Sequence, residues 1–493
     1  MKHHGINLPL SALHSKNSCG IGEFFDLLPL IDWLSEIGMD CLQLLPLNDS
    51  GSDPSPYNSE TAIALHPIYI SLHALPHNDL PLPKLPLKKM VNYSGVLREK
   101  LQWLREYTKN HPAPIDDFLK KYEYLKPYAL FKVLKDVHGG QNFQTWKIKT
   151  PSHHEFHQLT LQYESEMRFY LDLQYHAHAQ LSYVKSYAAE RGVMIKGDLP
   201  ILISPDSADV WHHPEYFDCS KAAGAPPDEF NPMGQYWGFP LYKWKNLEKD
   251  HFAFWKQRLH FSSEFYHLFR IDHVLGFFRI WAIEKEAPAA TGHFIPSEEA
   301  LMISQGKALL EMVLSSSDMI PIAEDLGLSS EKIRETLRSL KICGTRVLRW
   351  EKETPIDEYE PLSLTTVSTH DSSTVEQWWE EESEEASLYA KERGWAYTTP
   401  LSHEIRRKIL REAHHSASLF HINLLQEYLG FFPELKWPNP DDERINLPGF
   451  VLPTNWVYRF RPSVEEIVSH PHLKNEMKKL INRGNKFETK VIM

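Results

Sequence analysis

Cysteine is scarce in this chain: four in 493 residues, at positions 19, 41, 219 and 343. No two have zinc-ligand spacing, and no disulfide framework is visible. They read as reduced thiols, the pattern of a cytoplasmic protein. Long apolar runs are missing as well. None approaches the roughly 20 residues that span a bilayer, and the amino terminus (MKHHGINLPLSALH) has no continuous apolar stretch of the secretory kind. Neither a membrane segment nor a signal peptide is expected. Basic tracts are also absent. The densest patch, Lys84 to Lys89 (KLPLKK), is isolated in a chain of formal net charge −12, so nucleic acid is not an expected partner. There is no internal repeat and no low-complexity tract. What remains is globular, 42% hydrophobic and 24% charged. The length is more than one ordinary domain needs, which implies a large barrel with insertions or two to three domains.

Taken in order, residues 5–22 look like a loop. Phe25 to Ile37 has helical spacing with Gly38 as its stop. Met39 to Leu47 (MDCLQLLPL) reads as a buried strand, the first of a barrel. A Gly/Pro/Ser/Asn-rich loop, Asn48 to Ser59, carries Tyr57. A proline-rich connection follows, then helical spacing over 96–148 and a long amphipathic helix from Gln158 to Arg191. Further strands are expected at Val193–Ile203, which carries Asp198, and at Leu268–Asp272, Met319–Leu326, Gly344–Trp350 and Leu364–Asp371. The last falls within Leu419–Leu429. Helices are expected near Glu298–Leu314, Ser330–Leu340, Thr374–Arg393 and His403–Ser416. Strands alternating with helices imply parallel βα units. The expected architecture is one α/β domain, a (β/α)8 TIM barrel over 1–493 with inserted, mostly helical subdomains. The insertions are a helical subdomain at 65–155, a loop over the active site at 206–244, and helices at 374–416.

Three strands finish on acids: Asp272 after Leu268-Phe269-Arg270-Ile271, Glu324 after an apolar run from Met319, and Asp371 after His370. They lie 52 residues apart from 272 to 324 and 47 apart from 324 to 371, which fits one or two βα units between each pair. An acid after an apolar strand is also what a helix N-cap or an ion-pair partner looks like. Three such ends at the C-terminal face of a barrel favour catalysis, because barrel active sites are built there. Glycoside cleavage needs two carboxylates flanking the bond, one donating a proton and one acting as nucleophile or base. Other features have plainer readings. His154-Glu155-Phe156-His157 is one residue short of the zinc spacing His-Glu-x-x-His. His176 and His178 cannot share a helix face and are expected to be solvated or satisfied locally. The Glu380–Glu385 run is a solvated helix face, and Trp378-Trp379 reads as packing.

A series of short motifs then extends over nearly the whole chain, from about Gly5 to about Phe460. They include Ser55-Pro56-Tyr57-Asn58-Ser59, Gly197-Asp198-Leu199-Pro200, Pro226-Pro227-Asp228, Gly234-Gln235-Tyr236-Trp237-Gly238, Arg270-Ile271-Asp272-His273, Ala323-Glu324-Asp325-Leu326-Gly327, Thr369-His370-Asp371, and Asn446-Leu447-Pro448-Gly449 with Asn455-Trp456. In their joint order and spacing the chain resembles the amylomaltases, or 4-α-glucanotransferases, of glycoside hydrolase family 77. The resemblance implies Asp272 as nucleophile, Glu324 as general acid/base and Asp371 as the third carboxylate. It implies substrate contacts from Tyr57, Asp198, Asp228, Gln235, Trp237, Arg270, His273, His370 and Asn455. Arg270 is expected to hold Asp272 ionised, burial is expected to raise the pKa of Glu324, and Tyr57 is expected to stack on the donor sugar. The implied substrates are maltodextrins and other α-1,4-glucans with glucose as an acceptor. No metal or organic cofactor is implied, since the carboxylates do the chemistry, and the oligomeric state is left open. Rival readings are an α-glucan hydrolase of the same clan and an inactive glucan-binding protein. The chain departs from many members at Glu229, where they carry Tyr, and at Ser372-Ser373, where they carry Asn-Asp. It is also expected to lack the N-terminal starch-binding modules of some relatives.

Overall fold

The computed structural model describes residues 2–228, 231–327 and 330–482. Eight parallel strands form its centre: β1 His3–Leu8, β2 Cys41–Leu44, β3 Met194–Leu199, β4 Leu268–Ile271, β5 Ile320–Ala323, β6 Gly344–Val347, β7 Ser363–Thr366 and β8 Phe420–Leu424. Strands β1 to β5 pair in sequence order, β8 pairs with β1, and β6, β7 and β8 follow one another. The ring closes where Ile322 on β5 bridges Cys343 just before β6, with the Ala323 amide donating to the Cys343 carbonyl at 2.7 Å. This is the expected (β/α)8 barrel. Its first strand, however, is β1, which runs into the 5–22 stretch read as loop. Met39–Leu47 supplies the second strand.

The barrel interior is layered. Cys41, Leu268, Ile322, Cys343, Leu364, Phe420 and Ile422, drawn from strands around the ring, form a separate apolar cluster. Two residues further along a strand the side chain faces the same way, and there the composition turns polar. Lys196 donates to Gln43 at 2.8 Å, and Asp198 lies directly opposite Arg270 in the β3–β4 register. Gly197, between Lys196 and Asp198, is required: a Cβ there would lie 2.4 Å from the Tyr266 ring. Apolar side chains therefore fill the lower barrel, and charge is carried to the C-terminal ends of the strands.

The helix expected over Gln158–Arg191 is two, His153–Gln162 and Glu164–Glu190, broken at Tyr163. The His154-Glu155-Phe156-His157 stretch opens the first of them, where Glu155 closes a capping box with Ser152. His176 and His178 are not solvated. They pack among Tyr107, Phe118, Tyr122 and Phe265, and burial lowers both pKa values to about 4. The acidic helix is likewise split, into Val375–Glu381 and Ser383–Glu392, with Trp378 and Trp379 buried.

Helices Tyr93–Asn110, Ile115–Lys121 and Leu125–Val137 follow β2. The last of them is tied to the barrel-top loops by charge: Lys132 lies 3.0 Å from Asp49 and 2.6 Å from Glu60, and Lys135 lies 2.6 Å from Asp206. The loop that carries Tyr57 is thereby held at both ends. Between residues 206 and 244 lie a short helix, Ala208–His212, and strands Lys221–Ala225 and Gln235–Tyr236. These strands join Ile280–Glu284 and His293–Ile295 in an antiparallel sheet. Among the described residues no helix is long and apolar enough to cross a membrane.

Candidate active site

The site is assembled around Arg270, which projects from the last turn of β4 with its side chain only 12% exposed. Its Nη1 donates to Asp272 Oδ1 at 2.6 Å and to both oxygens of Asp198 at 3.0 and 2.9 Å. Its Nη2 lies 3.6 Å from Glu324 Oε2. One guanidinium therefore serves three carboxylates delivered by three adjacent strands: Asp198 by β3, Asp272 just past β4, and Glu324 just past β5. Asp198 is fully buried and also accepts a hydrogen bond from the Tyr57 hydroxyl at 2.8 Å. It acts as the buried counter-ion that fixes Arg270 and Tyr57.

Two backbone amides fix Glu324. His273 N donates to Oε2 at 2.8 Å and Leu326 N to Oε1 at 3.0 Å. His273 delivers its amide from a left-handed backbone (φ 45°), a conformation that strains a residue bearing a Cβ. Trp456 is likewise left-handed, at φ 65°. The His273 ring meets the edge of Trp237 at 5.0 Å, and Trp237 in turn donates to Gln235 Oε1 at 3.1 Å. The strand pair of the 206–244 segment thus reaches the site through Trp237.

On the opposite side, His370 Nε2 lies 3.1 Å from Asp371 Oδ2 and 3.0 Å from the Tyr57 hydroxyl. The His370 and Tyr57 rings stack at 5.3 Å, and Trp456 leans on both, at 5.4 Å from Tyr57 and 5.8 Å from His370. Asn446 donates to Asp371 Oδ1 at 2.6 Å. Tyr57 is thus part of a ring-packed wall already stacked on His370.

The carboxyls differ in protonation. Burial pushes Glu324 up to about 8, Arg270 pulls it back, and the charge of Asp272 adds to the rise. Burial also raises Asp272, to about 6, against the opposing pull of Arg270. Arg270 therefore offsets the desolvation of Asp272 without cancelling it, whereas the sequence suggested that the cation would dominate. The Asp272 side chain keeps 22% of its surface exposed, so water reaching it also favours the carboxylate. For Asp371 burial again raises the pKa, but His370 and Asn446 outweigh it and bring the carboxyl down to about 2. Its 42% exposed side chain acts in the same direction. Burial and Arg270 lower His273 to about 4, leaving its ring neutral at pH 7.

The sequence-selected residues that meet here are Tyr57, Asp198, Arg270, Asp272, His273, Glu324, His370 and Asp371, with Trp237 and Gln235 at the edge. Asp228 lies further out, on an exposed turn where its side chain accepts from Asn231 N at 2.6 Å. Glu229 lies outside the described residues. The Asn455 amide is used within its own loop: it accepts from Leu447 N and donates to the Leu447 and Phe450 carbonyls. Its neighbour Trp456, together with Asn446, makes the contacts to the site. Both belong to the Asn446–Trp456 motif region, but sequence reasoning assigned a role only to Asn455. Among the described residues no group of three or more His, Cys, Asp or Glu is arranged to hold a metal ion.

The likeness to known proteins agrees in fold and in length. A 4-alpha-glucanotransferase of Chlamydia pneumoniae is 41% identical over 502 residues, covering 97% of this chain and 95% of that protein. The amylomaltase of Streptococcus agalactiae, solved in complex with acarbose, superposes with a TM-score of 0.84 at 25% identity, over 98% of this chain and all of that one. The amylomaltase of Corynebacterium glutamicum shares the fold, with a TM-score of 0.80 at 21% identity, over 98% of this chain and 75% of that one. The glycoside hydrolase 77 profile, described as 4-alpha-glucanotransferase, matches residues 8–465, and the chain belongs to that family.

Proposed function

We propose that this 4-α-glucanotransferase works by retaining double displacement, with Asp272 as nucleophile and Glu324 as acid/base. The observation that carries the reading is the split in protonation across one guanidinium. At pH 7 Asp272, at about 6, is mostly a carboxylate, while Glu324, at about 8, is mostly protonated. Two carboxyls whose environments push them apart are the pair such chemistry needs. Glu324 gives its proton to the glycosidic oxygen as Asp272 attacks the anomeric carbon. The C–O bond breaks, the shortened glucan leaves, and a glucosyl ester forms on Asp272. Arg270 engages Oδ1 of Asp272, which leaves Oδ2 for the attack. The 4-hydroxyl of a second glucan then enters, Glu324 takes its proton, the ester breaks, and an α-1,4 bond forms with its configuration retained. Asp371, ionised at about 2, accepts hydrogen bonds from donor-ring hydroxyls and favours the positive charge that develops on the ring.

The proposed substrates are maltodextrins, with glucose among the acceptors. The segment 206–244, through Trp237 against His273, is the proposed acceptor-side cover that favours transfer over hydrolysis by limiting water. All four cysteines are free thiols, three of them buried, which supports a cytoplasmic location. Incubation with maltotriose tests the reading: it predicts a ladder of longer and shorter glucans together with glucose. Only shorter products would make the enzyme a hydrolase. Binding with no turnover would make it a glucan-binding protein.

A further inference from the structure

Asp371 sits on a tight turn past β7, where Ser372 N donates to the Thr369 carbonyl and Asp371 N to the Thr369 hydroxyl. Asn446 and His370 hold its 42% exposed side chain, and the turn that presents it is held separately. The segment from Ser368 to Val375 carries both His370 and Asp371, and both of its ends converge on a single buried carboxylate, Glu427. The Ser368 hydroxyl donates to Glu427 Oε1 at 2.5 Å. Val375 N donates to the same oxygen at 3.0 Å and to Oε2 at 3.3 Å. Glu427 is 1% exposed and lies on the helix Leu425–Leu429, which leaves β8 directly. It is held there by Arg406, whose Nη1 lies 3.7 Å from its carboxylate and donates to its backbone carbonyl at 3.4 Å. A second buried cation, Arg349 from the end of β6, donates to the carbonyl and the hydroxyl of Ser373, both at 3.1 Å.

We propose that Glu427 is a positioning residue for Asp371: it closes the β7 loop into a fixed ring by bridging its first and last residues. The inference rests on the role given to Asp371 above. Pinning the two ends of a short loop to one rigid group removes most of its freedom to drift. A drift on the order of 1 Å at a group that contacts the transition state costs about 100-fold in rate. Glu427 does not reach the substrate itself. Its effect on the reaction is therefore transmitted through the turn and vanishes when the Asp371 carboxylate is absent.

The test uses the full chain, with maltotriose turnover and calorimetric binding of acarbose as readouts. Glu427→Ala is expected to lower kcat by about 10- to 100-fold with KM changed less than about 3-fold. Glu427→Gln keeps the one oxygen that accepts from both the Ser368 hydroxyl and Val375 N, and is expected to recover most of that loss. The deciding measurement is a double-mutant cycle. Glu427→Ala should weaken acarbose binding in the wild-type background and have no further effect in Asp371→Ala. Equal losses in both backgrounds, or an unchanged kcat in Glu427→Ala, would overturn the proposal. If Glu427→Ala does not fold, Ser368→Ala removes one end of the bridge and enters the same cycle. Full turnover in Asp371→Ala alone would instead refute the role of Asp371, an outcome distinct from additivity.

Discussion

Replacing Arg270 with Met should move the whole pH–activity profile, not merely lower it. Arg270 contacts Asp272 at 2.6 Å and approaches Glu324 at 3.6 Å. Removing a unit charge about 4 Å from each carboxyl centre, at an effective dielectric of about 20, raises the cost of ionising each by up to about 4 kcal/mol, or about 3 pH units. Solvent reaches part of Asp272, so a shift of about 1–2 pH units is the working expectation. The signs are as follows. Asp272 must lose its proton to attack, so a higher pKa moves the acid limb up from about 6. Glu324 must keep its proton to donate it, so a higher pKa extends the basic limb beyond about 8. The bell for kcat/KM therefore moves to higher pH. From the shift alone, Arg270→Met should lose about 5- to 50-fold at pH 6 and nothing at pH 8.5, where the fuller protonation of Glu324 works in its favour. Arg270→Lys keeps the charge but not the fork, and should leave the limbs near their original positions while lowering the height. The assay is the initial rate of glucose release from maltotriose between pH 5 and 9.5. A uniform loss with unmoved limbs would show that Arg270 only shapes the site, and the electrostatic reasoning would fail.

Glu324→Gln should abolish transfer yet stabilise the fold at alkaline pH. The folded-state pKa of Glu324 is raised to about 8, so wild type loses stability as pH rises from about 4.5 to 8, and the amide should gain about 1–3 kcal/mol at pH 8.5 and little at pH 4, read from thermal or urea unfolding. Asp371→Asn should lower kcat at least about 100-fold while the protein unfolds near the wild-type temperature, because its carboxylate is half-exposed and not a core contact. Trp456→Ala removes the ring that leans on Tyr57 and His370 and should raise KM for maltotriose about 5- to 20-fold by loosening that wall. At the opposite end of the barrel, burial lowers His4 to about 4 and His421 to about 3, and holds His414 well below the usual histidine range. The unfolded chain therefore binds protons first, stability should fall as pH drops from about 6.5 towards 4, and His421→Asn should flatten that slope.

The strands that deliver Asp272 and Glu324 were legible because each joins an apolar run to an acid: Phe269 and Ile271 before Asp272, Ile322 and Ala323 before Glu324. The barrel imposes that pattern by burying the strand and opening its C-terminal end. Strand β1 was not legible. It opens on His3-His4, and its apolar residues, Ile6 and Leu8, alternate with Gly5 and Asn7, so no continuous run marks it. Within 206–244 the strand Lys221–Ala225 pairs with Ile280–Glu284, across a whole βα unit, and no local periodicity announces such pairing. The family resemblance marked Asn455 as a ligand, but its amide is consumed by its own loop, while Trp456 turns inward from a left-handed backbone that the sequence does not advertise. Glu427 left no local signal at all, because its partners are 52 and 59 residues away.

The most direct test of the mechanism is to trap the intermediate. The enzyme is incubated with a fluorinated maltosyl donor that forms the ester quickly and releases it slowly, then digested and mapped by mass spectrometry. The account predicts a sugar adduct on the peptide spanning 268–275, with fragmentation placing it on Asp272 and no adduct in Asp272→Asn. A label on Glu324 or Asp371, or full transfer activity in Asp272→Asn, would contradict it.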